Sequence, residues 1–411
     1  MPREETGEDD AAMTGSSLLV LGDNARVMRA RRRAWNEKFR LVYLDPPFNT
    51  GRKFAEYDDA RAPDAWAARL RETFEALAPL VAKNGTIACE IDDTELGALI
   101  ETGDAVFGRA NRFAIVTIVR SATTGHKAIN RGPMNVTDYV VMWAREKSAL
   151  RLSPLVRARR GYDASYRTFL ENPRDPAEKW AFAPLGRVVA ERLGHASTHA
   201  ARRSVGGETF ERELERFAMS HAENVVRFAQ PRFEAIGKEA REIVTRSRMS
   251  PERVFRLARG AHKDFIVRGG NRILFLADKV REVDGEPKIV EPLTNVWDDI
   301  GFQGIAREGG VVFSRNKKPE RLMHRILSMT TDAGDWVLDP CAGSGTTAAT
   351  AHKMGRRWIA IEREEELFAR ASERLTRVVA GEDATGVTKL CGWKGGGAFE
   401  RASLARARAK A

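Results

Sequence analysis

The sequence predicts an α/β fold built around a doubly wound, mostly parallel sheet. Three observations lead to this prediction. Short apolar runs alternate with amphipathic stretches over residues 17–147, the alternation is lost over residues 151–290, and it returns from about Thr294. Such a rhythm of buried strands and covering helices is typical of parallel sheets. We therefore expect two distant stretches of chain to form one α/β domain around an insert.

The first α/β stretch, residues 17–150, contains five apolar runs in succession. They read LLVLGDN, LVYLDPP, GTIACEIDD, FAIVTIV and YVVMWA. A helical pattern lies between the second and third runs, through Trp66, Leu70, Phe74 and Leu77. Runs of this kind separated by an amphipathic helix indicate strands that are covered by helices.

Residues 151–290 differ from the rest of the chain in texture and charge. The segment reads as mixed helices and loops, and it holds 28 lysines and arginines against 19 aspartates and glutamates. This excess accounts for most of the formal net charge of +11. Two of its stretches, RARRGYDASYR and ARRSVGG, combine arginine with tyrosine or glycine, as phosphate-contacting loops do. The composition fits either a nucleic-acid-binding insert or an ordinary solvated helical insert.

Composition excludes several classes of protein. The cysteines Cys89, Cys341 and Cys391 lie far apart without a CxxC or Cys/His pattern, so neither a disulfide framework nor a metal site is predicted. No apolar run approaches the roughly 20 residues of a membrane span, and the acidic opening MPREETGEDD is unlike a signal peptide. We expect a soluble, cytoplasmic protein with frayed ends, a disordered tail at residues 1–16 and a basic tail at residues 401–411.

A glycine loop stands between the strand Trp336–Asp339 and a helix that begins near Thr346. Its residues, PCAGSG, let the backbone approach a ligand closely, and the N–H groups of the following helix attract a carboxylate or phosphate. A phosphate-cradling loop would have lysine after its last glycine, whereas two threonines follow here. Glu362 ends the next strand about 20 residues downstream, where an acid can bind ribose hydroxyls. Together these parts suit an adenosine-containing cofactor, although dehydrogenases use similar parts and an ordinary surface acid at Glu362 is the alternative.

A more specific feature is Asp45-Pro46-Pro47-Phe48, directly after the apolar strand LVYL. Two prolines fix φ and lack N–H groups, so the turn is stiff and its carbonyls are free to accept hydrogen bonds from a ligand. The amino group of a nucleobase is a poor nucleophile because its lone pair is delocalised into the ring. Asp45 and the Pro46 carbonyl can each accept one of its N–H bonds as it attacks a methyl sulfonium, and Phe48 can stack on the base. The alternative is a rigid strand-ending turn with Phe48 in the core.

The two motifs together resemble those of the β-group DNA amino-methyltransferases, in which the catalytic turn precedes the target-recognition region and the cofactor loop comes last. More narrowly, the chain resembles the modification subunits of type III restriction systems. Seven collinear blocks carry the resemblance: LVLGDNARVM, LVYLDPPFNTG, GTIACEIDDTEL, PLTNVWDDI, NKKPERLMHRIL, WVLDPCAGSGTTAATAHKMGRRWIAIE and GWKGGGAF. They imply a Rossmann-like methyltransferase sheet, with residues 17–150 as its catalytic half and 291–400 as its cofactor-binding half. Residues 151–290 would form a basic, largely helical target-recognition region.

The resemblance also assigns roles to residues. It implies S-adenosylmethionine as cofactor, no metal, and Asp45, Pro46, Pro47 and Phe48 as the catalytic turn. The cofactor-binding residues that it implies are Asp23, Lys318, Pro319, Asp339, Pro340, Gly343, Ser344, Gly345, Thr346 and Glu362. Asp23 matches a position that contacts the adenine ring, and Lys318 matches a block where a lysine can meet the cofactor's carboxylate. Because Asp23 stands just before ARVMRA, helix capping is its alternative role.

The implied reaction is site-specific methylation of N6 of adenine in double-stranded DNA, after the base flips out of the duplex. N4 of cytosine is the alternative target, but the family's cytosine-specific turn usually begins with serine rather than with an aspartate such as Asp45. A catalytically silent DNA-binding subunit of a restriction-modification complex is the alternative from another class. The resemblance allows a homodimer and a restriction subunit as partners, and a solitary methyltransferase is equally compatible with it.

Overall fold

The computed structural model describes residues 3–4, 15–49, 62–120, 133–260, 262–312 and 317–404. In chain order, its strands are β1 (Arg3–Glu4), β2 (Ser17–Leu21), β3 (Phe39–Leu44), β4 (Val81–Ile91), β5 (Arg112–Val119), β6 (Thr137–Ala144), β7 (Val156–Ala158), β8 (Thr168–Leu170), β9 (Phe182–Pro184), β10 (Val225–Ala229), β11 (Val254–Arg259), β12 (His262–Arg268), β13 (Asn271–Phe275), β14 (Val280–Val283), β15 (Glu286–Pro292), β16 (Val296–Trp297), β17 (Trp336–Asp339), β18 (Arg357–Glu362) and β19 (Phe399–Ser403). Its α-helices are α1 (Asn24–Ala30), α2 (Arg32–Trp35), α3 (Pro63–Leu77), α4 (Leu96–Gly103), α5 (Leu185–Arg192), α6 (Thr198–Val205), α7 (Gly207–Ser220), α8 (Lys238–Met249), α9 (Glu320–Thr330), α10 (Thr346–Lys353) and α11 (Glu365–Ala380).

These elements are divided between two compact units. Unit 1 combines the described parts of Met1–Leu155 and Thr294–Ala411, and unit 2 is Val156–Leu293. Unit 1 therefore contains both of the motifs singled out in the sequence, and unit 2 contains most of the basic segment.

Unit 1 is built on a sheet whose ten described strands follow the order β1-β19-β2-β18-β17-β3-β4-β6-β5-β16. Within the described ranges, seven of the nine neighbouring pairs are parallel, and the pairs of β6 with β4 and with β5 are antiparallel. At the centre of the sheet, β17 from the second half of the sequence lies beside β3 from the first half. The prediction of a mostly parallel α/β sheet that joins two distant stretches of chain is confirmed.

The pairing of β3 with β17 brings the two motifs to one edge of the sheet. The two strands run parallel, and Val42 lies opposite Leu338 in the register. Asp45 follows the carboxyl end of β3, and Asp339 is the last residue of β17. In open α/β sheets, ligands bind in the crevice outside the carboxyl ends of the strands. The register of two central strands therefore positions the candidate site.

Helix α3 packs on this sheet with the face that its sequence spacing predicts. The four residues of the predicted apolar pattern are at most 4% exposed, namely Trp66, Leu70, Phe74 and Leu77. The Phe74 ring meets the ring of Trp143 on β6 edge to face, with centroids 6.1 Å apart. Full burial of a leucine or phenylalanine side chain stabilises a fold by about 1.5–3 kcal/mol. Helix α3 is thus firmly anchored next to the Asp-Pro-Pro-Phe turn.

Unit 2 corrects the prediction that the basic segment is largely helical. Besides α5 to α8, it contains a six-stranded sheet in the order β11-β12-β13-β10-β8-β9 and a three-stranded sheet in the order β14-β15-β7. The pairs within these sheets are antiparallel. The strands are short, and their exposed faces carry charges, as in β11 (VFRLAR), where both arginines are exposed. Such strands lack a clean apolar alternation, so the sequence pattern did not indicate them.

The ends of the chain correct a second prediction. Residues 401–403 were expected in a basic tail, but they belong to β19, which pairs with β2 and places Ala402 opposite Val20. Arg3–Glu4 were expected in a disordered tail, but they pair in parallel with the end of β19. Of the two predicted tails, residues 1–2, 5–14 and 405–411 lie outside the described residues. Among the described helices, none has the length and apolar character that crossing a bilayer requires.

Candidate active site

A cavity of about 200 Å³ opens at the carboxyl edge of the unit 1 sheet. Both motifs contribute to its wall: the Asp45 turn (residues 45–48) and the glycine loop (residues 340–345). Eleven of the fourteen residues predicted for the site line it, and they are Asp45, Pro46, Pro47, Phe48, Lys318, Asp339, Pro340, Gly343, Ser344, Thr346 and Glu362. The fold therefore brings together, around one cavity, side chains that lie far apart in the sequence.

The glycine loop owes its shape to two left-handed residues. Gly343 has a φ of 52° and Gly345 a φ of 76°, a region that residues with a Cβ rarely adopt. A Cβ on Gly345 would also lie 3.2 Å from the Cβ of Ala371. Gly345 directly precedes α10, whose first residue, Thr346, lines the cavity. The N-terminal N–H groups of α10 are thus placed where a ligand carboxylate can meet them.

Glu362 organises the glycine loop from the neighbouring strand. Its Oε2 accepts a hydrogen bond from the N–H of Gly343 at 2.8 Å. Its Oε1 accepts from the N–H groups of Arg363 at 2.8 Å and of Glu364 at 3.0 Å. Burial raises the pKa of this carboxyl above its usual value, and the three hydrogen bonds oppose the rise. Glu362 is therefore a buried acid that lines the cavity, whereas its contact with a ribose stays a prediction.

Asp339 is a second buried acid beside the loop. Asp339 is 4% exposed, and its Oδ1 accepts a hydrogen bond from the N–H of Cys341 at 3.0 Å. Burial raises the pKa of Asp339 to about 7, although hydrogen bonds from Thr347 and Cys341 act to lower it. Buried acids need hydrogen-bond donors, so a ligand with hydroxyl or ammonium groups would be stabilised here.

The Asp45 turn is held in place by side chains from outside it. The indole Nε1 of Trp66 donates to the carbonyl of Pro47 at 2.7 Å, which ties the turn to α3. After the turn, Asn49 has a φ of 58°, and its Nδ2 donates to Oε1 of Glu95 at 2.6 Å. Phe48 lines the cavity and also packs, partly buried, against the core of unit 1. Phe48 therefore contacts both the core and the cavity.

Lys318 connects the Asp45 turn to a buried carboxylate. Its Nζ donates to Oδ1 of Asp45 at 2.8 Å and lies 3.2 Å from Oε1 of Glu90. The same ammonium lies 4.5 Å from the centroid of the Phe48 ring. Burial raises the pKa of Asp45 to about 6, while the Lys318 cation opposes this rise and the Glu90 charge adds to it. Lys318 thus contacts the turn directly, and its predicted contact with a cofactor carboxylate stays a prediction.

Glu90, Asn24 and Arg69 are among the residues of the site that were not predicted from the sequence. A signal for Glu90 existed, because a charge inside the apolar run GTIACEI requires a buried partner. Asn24 lines the cavity, and its Nδ2 donates to the carbonyl of Pro340 at 3.1 Å. Arg69 lines the cavity from α3. Arg69 lies on the polar face of the predicted helix. An arginine there did not indicate a site, because any solvent-exposed helix face has the same sequence pattern.

Three predicted residues do not line the cavity: Asp23, Pro319 and Gly345. Asp23 caps α1, because its Oδ1 accepts from the N–H of Arg26 at 3.1 Å, and it forms an ion pair with Arg69. This is the alternative role considered for Asp23, and its contact with an adenine ring stays a prediction. Pro319 is the residue before α9, and Gly345 acts through the shape of the loop.

The residues around the cavity suit a zwitterionic, adenosine-containing ligand. Leu70, Ile361 and Leu367 supply apolar surface for a ring, next to the buried acids and the N-terminus of α10. This mixture of apolar wall, anion-binding helix end and hydroxyl-binding acids fits S-adenosylmethionine. Among the described residues, no cluster of three or more histidine, cysteine, aspartate or glutamate side chains is arranged to hold a metal ion.

Comparison with known proteins places the chain among DNA methylases. A family model of the N6/N4 type, described as DNA methylase, matches residues 39–373. The chain is 28% identical over 409 residues to the "Probable type III restriction-modification enzyme HindVI Mod subunit" of Haemophilus influenzae, covering 95% of this chain and 54% of that protein. It is 48% identical over 59 residues to the type II methyltransferase M2.DpnII of Streptococcus pneumoniae, covering 14% of this chain and 22% of that protein. The chain thus spans about half the length of the first relative.

Two solved structures also align with the chain. The M1.HpyAVI–SAM complex covers 87% of this chain and 98% of its own at 13% identity, with a TM-score of 0.41. The PvuII DNA methyltransferase, described as cytosine-N4-specific, covers 88% of this chain and 86% of its own at 12% identity, with a TM-score of 0.43. The family match spans more than half of the residues and confirms the family that the motifs predicted. This chain belongs to the N6/N4 DNA methylase family.

Proposed function

We propose that this chain is a site-specific DNA methyltransferase that transfers the methyl group of S-adenosylmethionine to N6 of adenine. Membership of the N6/N4 family supports S-adenosylmethionine as the cofactor and an exocyclic amino group as the acceptor. The observation that carries the proposal is the single cavity lined by both the Asp45 turn and the glycine loop. Methyl transfer needs an acceptor amino group and a methyl donor held side by side, and this cavity offers a place for each.

The Asp45 turn would act on the amino group. When bound, S-adenosylmethionine supplies a methyl group on a positively charged sulfur. The Asp45 carboxylate and the Pro46 carbonyl would accept hydrogen bonds from the two N–H groups of the target amino group, which favours the rehybridised nitrogen as it attacks. The new N–C bond would replace the C–S bond of the methyl group, whose electron pair stays on sulfur, and the nitrogen would lose one proton through Asp45 to water. The base leaves the duplex and stacks on the Phe48 ring, a contact worth about 1–3 kcal/mol.

The glycine loop and the strands beside it would hold the cofactor. The N-terminus of α10, which begins at Thr346, would receive the carboxylate of the methionine moiety. Glu362 would accept hydrogen bonds from the ribose hydroxyls, and Leu70 and Ile361, which line the cavity, would supply apolar surface for the adenine ring. Glu362 already accepts three backbone N–H groups, so the loop is preorganised for this role.

Adenine is preferred to cytosine because the turn begins with an aspartate. In this family the cytosine-specific turn usually begins with serine, and Asp45 stands at that position. A carboxylate accepts hydrogen bonds more strongly than a hydroxyl, and it can compensate positive charge that develops on the attacking nitrogen. Methylation of N4 of cytosine and a silent DNA-binding subunit are the competing functions.

We further propose that unit 2 is the target-recognition region. The basic segment, residues 151–290, lies largely within this unit and accounts for most of the formal net charge of the chain. Several of its arginines lie over aromatic rings, with Arg268 at 5.1 Å from Phe182 and Arg253 at 5.4 Å from Phe255. Arginine suits the phosphate backbone, and arginine next to an aromatic ring suits bases. The proposed substrate is double-stranded DNA. The proposed partners are a second copy of this chain or a restriction subunit, and the proposed location is the cytoplasm.

Methylated DNA is expected to contain N6-methyladenine. Purified protein is incubated with S-adenosylmethionine and genomic DNA that lacks this modification, and the digested nucleosides are identified by mass spectrometry. Single-molecule sequencing of the same DNA gives the sequence context. N4-methylcytosine as the sole product would overturn the choice of adenine, and DNA binding without any methylated nucleoside would favour the silent subunit.

The rate of methyl transfer is expected to fall on the acid side of about pH 6. Asp45 accepts a hydrogen bond from the amino group as a carboxylate, and its pKa is raised to about 6, mainly by burial. Below that pH the protonated form dominates, so kcat/KM should lose about tenfold for each further pH unit. The measurement is kcat/KM from pH 5 to 8 at constant ionic strength. A rate that is flat down to pH 5 would contradict the role given to Asp45.

A further inference from the structure

We propose that Glu90 is a positioning residue, which holds the Lys318 ammonium between Asp45 and the Phe48 ring and thereby sets the geometry and charge of the Asp45 turn. This inference rests on the proposed function, because it assigns Glu90 a part in the same site. Glu90 does not line the cavity and therefore acts through Lys318.

The surroundings of Glu90 are those of a fixed, fully buried anion. Its side chain on β4 is 0% exposed. One carboxylate oxygen, Oε2, accepts a hydrogen bond from the hydroxyl of Tyr43, and the other, Oε1, lies 3.2 Å from Nζ of Lys318. A buried charge without partners is strongly unfavourable, so these two contacts determine where the carboxylate stands. Tyr43 lies on β3, two residues before Asp45, which places the anchor of Glu90 on the same strand as the turn.

Lys318 needs such an anchor because its side chain is long. A lysine has four rotatable bonds and a compact ammonium without fixed direction. Here the ammonium contacts Asp45 at 2.8 Å, Glu90 at 3.2 Å and the Phe48 ring at 4.5 Å from its centroid. Although burial lowers it, Asp45 and Glu90 raise the pKa of Lys318 above its usual value, so the ammonium stays charged. Two of its three contacts are groups of the Asp45 turn, and the third is Glu90.

The charge of Glu90 also reaches Asp45. Titratable groups interact with Asp45 from several elements: Lys318 before α9, Glu90 and Cys89 on β4, Tyr43 on β3, Asp138 on β6, and Asp339 with Cys341 at the glycine loop. Apart from burial, the largest effects on the pKa of Asp45 are a lowering by Lys318 and a raising by Glu90. Removal of the Glu90 charge should therefore make the Asp45 carboxylate easier to ionise.

The test replaces Glu90 with glutamine (E90Q). Glutamine has nearly the same volume as glutamate and can still accept a hydrogen bond from the Tyr43 hydroxyl, but it removes the negative charge that faces Lys318. We expect kcat for methyl transfer from S-adenosylmethionine to DNA to fall about tenfold on the pH plateau, with KM for DNA within about threefold of wild type. The acid limb of the pH profile, which is the range where kcat/KM falls as the pH is lowered, should move to lower pH by about one unit. A merely structural role would reduce the active fraction and leave the acid limb in place.

The matched control is Asp104→Asn. This substitution removes a partly buried carboxylate elsewhere in unit 1, which is paired with Arg112 at 3.0 Å. We expect it to leave the acid limb where it is in wild type. An E90Q variant with an unmoved acid limb overturns the inference, whether or not its kcat falls.

A second measurement needs neither DNA nor turnover. Protein labelled with ¹³C at the aspartate carboxyl carbons is titrated by NMR, and the Asp45 signal is assigned with the D45N variant. A lower Asp45 midpoint in E90Q than in wild type supports the inference, and equal midpoints overturn it. If wild-type protein transfers no methyl group to DNA, the proposed function fails, while the NMR titration still decides whether Glu90 controls the Asp45 turn.

Discussion

Replacement of Asp45 with alanine is expected to lower kcat for methyl transfer by about 10²- to 10³-fold. The carboxylate is one of two proposed acceptors for the N–H bonds of the target amino group, and alanine removes it without a substitute. The loss also leaves the buried ammonium of Lys318 with Glu90 as its remaining carboxylate partner. The measurement is single-turnover methylation of a DNA substrate at saturating S-adenosylmethionine, at a pH above 7 where Asp45 is ionised in the wild-type protein.

The control for this substitution is Asp335→Ala. Asp335 precedes β17 at the opposite edge of the same sheet, pairs with Arg40 at 3.6 Å and is 29% exposed at its side chain, close to the 25% of Asp45. We expect its kcat to stay within about threefold of wild type, because surface charges away from the site have small effects. Calorimetry should show that D45A still binds S-adenosylmethionine. Wild-type kcat in D45A would remove the basis for the proposed chemistry.

The parts of the site that could be predicted from the sequence are those where proline or glycine gives the backbone an unusual conformation. Two prolines after an apolar strand and two glycines between a strand and a helix leave a local signature, because φ is fixed in one case and left-handed in the other. In the structure, Gly343 and Gly345 have a left-handed φ. The two motifs line one cavity because β3 and β17 pair in parallel, and the local sequence of either motif does not indicate that pairing.

Residues that act through distant partners could not be predicted in the same way. Glu90 and Lys318 are separated by most of the chain, and their contact depends on the packing of β4 against the loop before α9. Asp23 had two compatible roles, of which the structure shows the capping of α1, and its ion pair with Arg69 depends on where α3 lies. The short antiparallel strands of unit 2 form through pairing with neighbouring strands. Charged residues on their exposed faces obscure the alternation of apolar and polar residues that marks a strand in a sequence.

A buried ionic cluster connects the glycine loop to α9. Glu320, the first residue of α9, accepts hydrogen bonds from Lys353 at 2.8 and 2.9 Å and from Arg374 at 2.8 Å. Lys353 also pairs with Asp383 at 2.6 Å, and Arg374 donates to Oγ1 of Thr346 at 2.7 Å. The side chains of Glu320, Lys353, Arg374 and Asp383 are 0% exposed in these pairs. One acid, Glu320, thus holds two buried cations, and one of these cations supports the start of α10.

Replacement of Glu320 with glutamine (E320Q) is expected to lower the free energy of unfolding of unit 1 by about 3–5 kcal/mol. Glutamine has nearly the same shape, but it removes the negative charge that Lys353 and Arg374 share in a place that water does not reach. Lys353 keeps Asp383 at 2.6 Å, whereas Arg374 keeps a more distant carboxylate, Glu308 at 3.8 Å. Loss of the anion should also loosen Arg374 under Thr346, so that the affinity for S-adenosylmethionine falls along with stability. Urea unfolding gives the first quantity, and calorimetric titration with the cofactor at a temperature where the variant is folded gives the second.

The matched control is Glu366→Gln on α11. Glu366 pairs with Arg370 one helical turn away, and its side chain is 70% exposed. An exposed pair of this kind contributes less than about 1 kcal/mol, because water and salt screen the charges. The same chemical change should therefore cost several times more at Glu320 than at Glu366. Equal free energies of unfolding for the two variants would mean that the cluster under the glycine loop is not what stabilises this half of the sheet.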